Sequence, residues 1–292
     1  MFANLYSAQN PRSMEDVIIV GGGTGGLSAA LTLARSRRSV VVIDGGQPRN
    51  ARAEGVHNYL TRDGTPPSEL LAIGRREVEG YGVRVIDGQA VETTRIEGGF
   101  EVTLGDGSVQ RGRRLVIATG GWDELPDVPG VAEGWGHTVI HCPYCHGWEV
   151  RDQRIGVLGT GPGGIHQALL FSQLSDDVTL YLHSLELTDA EVASLTSRNV
   201  AIVDGAIASV ESLGVDALVV STVVHPRLEA FAGLGITELT ADFTGATPHP
   251  GVWAVGNVLE ANAQVIGAAA AGVMAGARIN WDLIESTLPT TH

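Results

Sequence analysis

Two Gly-x-Gly-x-x-Gly turns, each entered from a short apolar run and left into a helix-like run, narrow the possible folds of this chain more than any other feature. The first is Gly21-Gly22-Gly23-Thr24-Gly25-Gly26, between residues 17–20 and 27–35; the second is Gly159-Thr160-Gly161-Pro162-Gly163-Gly164, between residues 154–158 and 165–174. An apolar run of this length reads as a parallel strand buried on both faces. Glycines at this spacing let the backbone approach a pyrophosphate, and the following helix N-terminus favours its charge. A second strand, residues 40–43, ends in Asp44, 18 residues past Gly26. That is near the spacing of about 20 at which a carboxylate meets an adenosine ribose. A second strand, 178–182, also follows the second turn. The expected fold is therefore α/β, with two Rossmann-like nucleotide-binding domains of three layers (ββα/βαβ).

The intervening chain alternates strand-like and helix-like runs. Residues 66–81 and 188–198 read as helices, and 83–86, 90–96, 100–104 and 108–111 as alternating strands, with Asp106-Gly107 as a hairpin turn. A strand at 114–118 runs into Thr119-Gly120, residues 122–136 form a crossover, and 200–203 and 217–223 are further strands. A last strand at 248–255 ends at Gly256-Asn257, and a helix from about 263 to 285 closes the chain. Residues 1–14 read as a flexible tail.

The chain has two cysteines, both in His141-Cys142-Pro143-Tyr144-Cys145-His146. Thiols at this spacing can close a small disulfide ring and reopen it, and a flanking imidazole can take or give the thiol proton. Cys-x-x-Cys-His also matches the attachment pattern of c-type haem, which needs an exported chain. Four candidate metal ligands within six consecutive residues do not readily surround one ion, so no metal is expected.

Composition excludes other chemistries. All 19 basic residues are arginine, which removes a Schiff-base lysine and a phosphate-binding GK[ST] loop. A net charge of −14 argues against nucleic acid and anionic membrane surfaces. No run reaches membrane-spanning length and no signal peptide is evident, so a cytoplasmic protein is expected. Tyr144 and Trp148 are candidates to line a substrate pocket; His57 and His225 read as loop or surface histidines.

The order of first Gly-rich turn, Ala118-Thr119-Gly120, Cys-x-x-Cys, second Gly-rich turn and Val252-Trp253-Ala254-Val255-Gly256-Asn257 resembles the low-molecular-weight thioredoxin reductase family over nearly the whole chain. The run from Cys142 to Glu149 resembles the branch of dithiol oxidases that close disulfides in gliotoxin and holomycin. The resemblance implies a discontinuous FAD-binding domain, 15–117 with 245–292, and an inserted NAD(P)-like domain, 118–244, that carries the Cys-x-x-Cys, and it implies bound FAD. Gly21, Gly23, Thr24, Gly25 and Gly26 would hold its pyrophosphate and Asp44 its ribose. Gln47, Asn58, Val91, Thr119, Gly120 and Gly256 would lie beside it. Asn257 stands where the family has an aspartate on the ribityl chain, and Gln264 and Val265 begin the helix that faces the flavin. The resemblance also makes Cys145 the flavin-side sulfur, Cys142 the substrate-side sulfur and His146 the general acid. His141 is either a fourth catalytic residue or structural. A homodimer is implied, acting on a small dithiol or disulfide or on a thioredoxin-like protein.

One departure bears on direction. The family holds the 2′-phosphate of NADP(H) with a His-Arg-Arg cluster after the strand that follows the second turn; here those positions read His183-Ser184-Leu185-Glu186. Losing two charge-assisted hydrogen bonds costs about 3–6 kcal/mol. A vestigial nicotinamide site is expected, and with it oxidation of a dithiol through FAD to oxygen or another acceptor. An NADPH-dependent disulfide reductase is the alternative, and a flavin-binding regulatory protein with an inert Cys-x-x-Cys is the non-enzymatic one.

Overall fold

The computed structural model describes residues 14–289, so the expected tail at 1–14 lies, apart from Met14, outside the described residues. In chain order the elements are β1 (Glu15–Val20), α1 (Thr24–Arg35), β2 (Val40–Asp44), α2 (Pro67–Gly80), β3 (Arg84–Asp87), β4 (Ala90–Ile96), β5 (Gly99–Leu104), β6 (Val109–Ile117) and β7 (Gly121–Glu124). There follow α3 (Val131–Gly134), β8 (Val139–Ile140), α4 (Pro143–His146), β9 (Ile155–Leu158), α5 (Gly163–Phe171), β10 (Val178–Tyr181), α6 (Asp189–Ser197), β11 (Ala201–Val203), β12 (Ala217–Val220), β13 (Val223–Pro226), β14 (Val252–Ala254) and α7 (Val265–Glu285).

The chain divides into two compact units. One holds the described residues up to Arg49, Ser68–Trp122 and those from Pro226 on; the other holds Asn50–Pro67 and Asp123–His225. This division differs from the expected one in three places, the first being residues 118–122, which fall in the first unit. Residues 226–244 stay with the first unit, where Glu229–Leu234 forms a 3₁₀ segment whose Phe231 is fully buried in the meander core. Residues 50–67 go with the second.

The first unit is built on a sheet ordered β3-β2-β1-β6, with β14 also paired to β6 and with the antiparallel meander β4–β5 extending from β6. Strand alternation divides β1 between two cores. Val17 and Ile19 pack with α1 and α7, whereas Ile18 and Val20 pack with Phe100, Val102 and Phe231 of the meander side. The sequence suggested strands at 108–111 and 114–118; the structure has one nine-residue strand. Gly112, which looks like a break, is there because a Cβ would lie 2.7 Å from Ile18 Cγ1. The Ala/Gly-rich half of α7 packs on helix α1: a Cβ on Gly272 would fall 2.1 Å from the Gly25 carbonyl oxygen.

The second unit carries a parallel sheet ordered β11-β10-β9-β12-β8. Its core joins Val157, Leu180 and Val219 of the strands to Ala168 and Phe171 of α5. The strand expected at 217–223 ends at Val220. Residues Val223–Pro226 instead pair with β7 in a two-stranded ribbon where the chain passes from one unit to the other. Among the described residues no helix is long and apolar enough to cross a membrane.

Candidate redox and nucleotide sites

In the second unit, β8 delivers the chain to the dithiol. Gln167 of α5, itself buried, fixes that strand end by donating from Nε2 to the carbonyls of His141 at 2.8 Å and Val220 at 3.1 Å, while its Oε1 accepts from Ser221 at 2.8 Å. Cys142 is extended and caps α4, with Pro143 opening the helix, where its missing N–H costs nothing. Cys145 and His146 donate their amide N–H to the Cys142 carbonyl at 3.2 and 3.1 Å. This turn brings the two Sγ atoms to 2.6 Å. Gly147 permits it, because a Cβ there would stand 2.2 Å from the Pro143 carbonyl oxygen and 2.4 Å from Leu174 Cδ1.

His146 follows the second sulfur directly. Burial pushes its imidazole below the usual histidine value of 6.5; Glu149 and Glu54 oppose that shift, and His57 and His137 add to it. Its Nε2 is buried without a hydrogen-bond partner in the protein. A neutral imidazole beside a thiol is suited to accept the thiol proton. His141 has its ring 6.4 Å from that of Trp135. Tyr144, between the two cysteines in sequence, and Trp148 are both exposed, and Arg151 stacks on Trp148 at 4.1 Å.

Residues 50–67 contribute two groups to this site. Asn58, expected beside the nucleotide, donates from Nδ2 to the Tyr144 carbonyl at 2.8 Å. His57, expected in a loop or at the surface, lies in a loop, is largely covered, and faces Asp63 at 3.4 Å and Glu149 at 3.5 Å. His225 meets the surface expectation more closely, as it pairs with Glu124 at 2.6 Å in the ribbon.

The second Gly-rich turn is formed between β9 and α5, and a Cβ on Gly161 would meet nothing within 4 Å. At the end of β10, His183 has φ +49° and its Nδ1 accepts from Ile207 N at 3.0 Å, so the ring holds the following loop. Arg198 bonds Ser172 at the far end of α5, and Arg154 pairs with Asp216. Among the described residues no group of three or more His, Cys, Asp or Glu is placed to hold a metal ion.

The first unit gathers most of the residues expected at the nucleotide. Gly21 has φ +118°, and a Cβ would lie 2.1 Å from the Ala118 carbonyl oxygen; Gly26 would clash with Gly21 at 2.0 Å; at Gly23 nothing stands within 4 Å. Gly23 caps α1 and, being glycine, offers no side chain to the amides at the helix start. Asp44 accepts from Gly46 N at 3.0 Å and presses its carboxylate against Gly22. Thr24 Oγ1 donates to the Val265 carbonyl at 3.3 Å, and Gly25 leaves room for Val255 and Ala268, so the starts of α1 and α7 meet. Gln264 caps α7, again with no side-chain bond, and Gly256 has φ +79°.

The remaining expected residues are placed as follows. Thr119 donates to the Arg227 carbonyl at 2.7 Å, Arg227 N donates to the Gly120 carbonyl at 3.1 Å, and Arg227 Nη1 reaches the Gln47 carbonyl at 3.1 Å. Val91 is half exposed on β4. Asn257 Nδ2 donates to the carbonyls of Glu260, Ala261 and Ala263 at 2.9–3.3 Å.

The family model for pyridine nucleotide-disulphide oxidoreductases matches residues 15–276, from β1 into α7. The chain belongs to the pyridine nucleotide-disulphide oxidoreductase family. The crystal structure of HlmI is 43% identical, with a TM-score of 0.88 over 93% of each chain. That of an oxidoreductase from Agrobacterium tumefaciens is 30% identical, with a TM-score of 0.89 over 94% of this chain and 99% of the other. Thioredoxin reductase tcpT of Claviceps purpurea (strain 20.1) is 37% identical over 188 residues, 61% of this chain and 59% of that protein. The matches to the first curated relatives span 48–59% of those proteins' lengths.

A family with this fold typically binds FAD, and the first unit of this chain fits that cofactor: the open Cβ position at Gly23 and two helix starts with no side-chain cap are features a pyrophosphate would fill. The sequence reading missed Gln167, Arg227 and the His57–Glu149 pair. Gln167 and Arg227 act through backbone carbonyls far away in sequence, which no local pattern announces.

Proposed function

We propose that the protein is an FAD-dependent thiol-disulfide oxidoreductase that oxidises a dithiol substrate to a disulfide. The observation that carries this reading is the approach of Cys142 and Cys145 Sγ to 2.6 Å beside a buried His146. A substrate thiolate attacks the Cys142–Cys145 disulfide at Cys142, and the second substrate thiol then displaces Cys142, which leaves the substrate disulfide and two reduced cysteines. Two electrons and two protons remain to be removed. FAD, when bound, supplies the two-electron acceptor, with dioxygen as the final oxidant giving hydrogen peroxide. His146 takes up thiol protons, and Gly21, Gly23, Thr24, Gly25, Gly26, Asp44 and Val265 hold the nucleotide.

The direction rests on the second Gly-rich turn. The His183 ring is engaged with Ile207, and Arg154 and Arg198 are paired elsewhere. A second reading, an NADPH-dependent disulfide reductase, is favoured by the family's description and by relatives named thioredoxin reductase. Anaerobic titration of the purified holoprotein separates them. A small dithiol should bleach the flavin absorbance and micromolar NADPH should not; rapid bleaching by NADPH would overturn the oxidase reading. Replacing both cysteines by serine should reduce thiol turnover to background, and unchanged turnover would return the protein to a non-enzymatic flavin binder.

The outer face of α7 presents Ile266, Val273, Met274 and Trp281, all exposed. A second copy of this chain is the partner we propose for that apolar stripe. Its substrate is a small dithiol rather than a thioredoxin-like protein, a choice supported by the exposed aromatic pair Tyr144 and Trp148, within and just after the Cys-x-x-Cys run in sequence.

A further inference from the structure

Residues 56–65 form a closed loop in the second unit. Val56 and Thr65 make an antiparallel bridge, with Val56 N donating to the Thr65 carbonyl and Gly64 N to the Val56 carbonyl, both at 2.8 Å. Inside the loop, Asp63 accepts from the Asn58 amide N–H at 2.9 Å through Oδ1 and faces His57 Nδ1 at 3.4 Å through Oδ2. The other ring nitrogen of His57, Nε2, faces Glu149 Oε1 at 3.5 Å, and Asn58 Nδ2 holds the Tyr144 carbonyl at 2.8 Å. The loop therefore grips the dithiol turn on both sides, at the residue before Cys145 and at the third residue after His146.

We propose that His57 is a positioning residue for the dithiol site: backed by Asp63, it holds the Glu149 carboxylate where its charge acts on His146. The proposal rests on the reading of the dithiol as the reaction centre. An imidazole with a carboxylate on each nitrogen donates to both only when doubly protonated and to one when neutral, so the link to Glu149 requires a proton on Nε2. Glu149 is otherwise a half-exposed side chain, and an untethered carboxylate would turn to water and lose most of its influence. The charged groups felt by His146 are Glu149 and Glu54, which favour its protonated form, and His57 and His137, which disfavour it. Cys145 precedes it directly and Cys142 lies four residues before it, and Arg151 is engaged on Trp148. Of the two favouring groups Glu149 acts more strongly, and it is the one His57 touches. His57 is thus not a catalytic residue. It acts on the reaction through Glu149.

The test is a double-mutant cycle read on the titration of His146, by NMR of the full-length protein, and on the pH dependence of iodoacetamide alkylation of the reduced dithiol. Neither readout needs substrate, nicotinamide or oxygen, so a protein that turns out to be a reductase leaves the test intact. Glu149→Gln should lower the His146 midpoint in the parent protein and shift it by less than half as much in a His57→Ala background. His57→Gln, which keeps an amide donor within reach of Glu149, should restore part of the difference. If His57→Ala impairs folding, Asp63→Asn removes the back of the clamp while keeping His57, and it should likewise shrink the Glu149→Gln shift. Equal Glu149→Gln shifts in the parent and in these backgrounds would overturn the proposal.

Discussion

A Cβ on Gly26 would lie 2.0 Å from the Gly21 carbonyl oxygen, so the first and last glycines of the nucleotide turn are packed against each other. Gly23 between them has nothing within 4 Å of its Cβ position. The two kinds of glycine should therefore fail differently. Gly23→Ala should leave the melting temperature of the apoprotein nearly unchanged and sharply lower the bound flavin, read from visible absorbance. Gly26→Ala should lower both, with destabilisation of about 1–3 kcal/mol from overpacking.

His146 should show itself in pH dependence. Its folded-state pKa lies below 6.5 because burial disfavours the charged ring, so the folded chain binds fewer protons there than the unfolded one. Stability should then rise with pH through the window beneath 6.5 and level off above it. Urea unfolding across that range should give a steeper slope for the parent than for His146→Gln. The same variant should lose about 10²–10⁴-fold in thiol turnover if the imidazole moves the thiol proton.

Gly147→Ala tests the geometry of the dithiol turn. The added carbon would meet the Pro143 carbonyl at 2.2 Å and Leu174 at 2.4 Å, so α4 must unwind or shift. Thermal melting should fall by an amount equivalent to about 1–3 kcal/mol, and the rate of disulfide closure after dilution of the reductant should fall with it.

Asn257 separates two demands on one position. An aspartate there could accept from a ribityl hydroxyl, yet it would turn a charge toward three backbone carbonyls that now receive hydrogen bonds from Nδ2. Asn257→Asp should cost about 1–3 kcal/mol in chemical denaturation, and Asn257→Ala about as much.

Trp281→Glu places a charge at the C-terminal end of the exposed stripe of α7. Sedimentation velocity should show a dimer for the parent and a monomer for the variant, with flavin content retained.

The sequence made the nucleotide turn of the first unit readable because every requirement there is local: an apolar strand, glycines at fixed spacing, a helix and an acid on the next strand. The hairpin at Asp106-Gly107 was legible for the same reason, with Gly107 at φ +82°. Non-local pairing was not legible. Val223–Pro226 joins Gly121–Glu124 across about a hundred residues, and nothing in either tetrapeptide marks it as half of a ribbon. Gly112 misled for a related reason: its role is to let Ile18 of another strand come close, whereas along the chain it looks like punctuation. His57 was dismissed because the run around it is polar and irregular, and its partners Asp63 and Glu149 are identified only by the fold.

The assignment of residues 50–67 to the second unit has a consequence for how this protein can be recombined. The dithiol module is written in the gene as two separate passages, and the shorter lies inside the other module's text. A graft of 123–225 alone onto a related scaffold would carry the sulfurs and leave behind His57, Asn58 and Asp63. A faithful transplant has to move both passages together, and a lineage that exchanged only the longer one would inherit a dithiol without its tether.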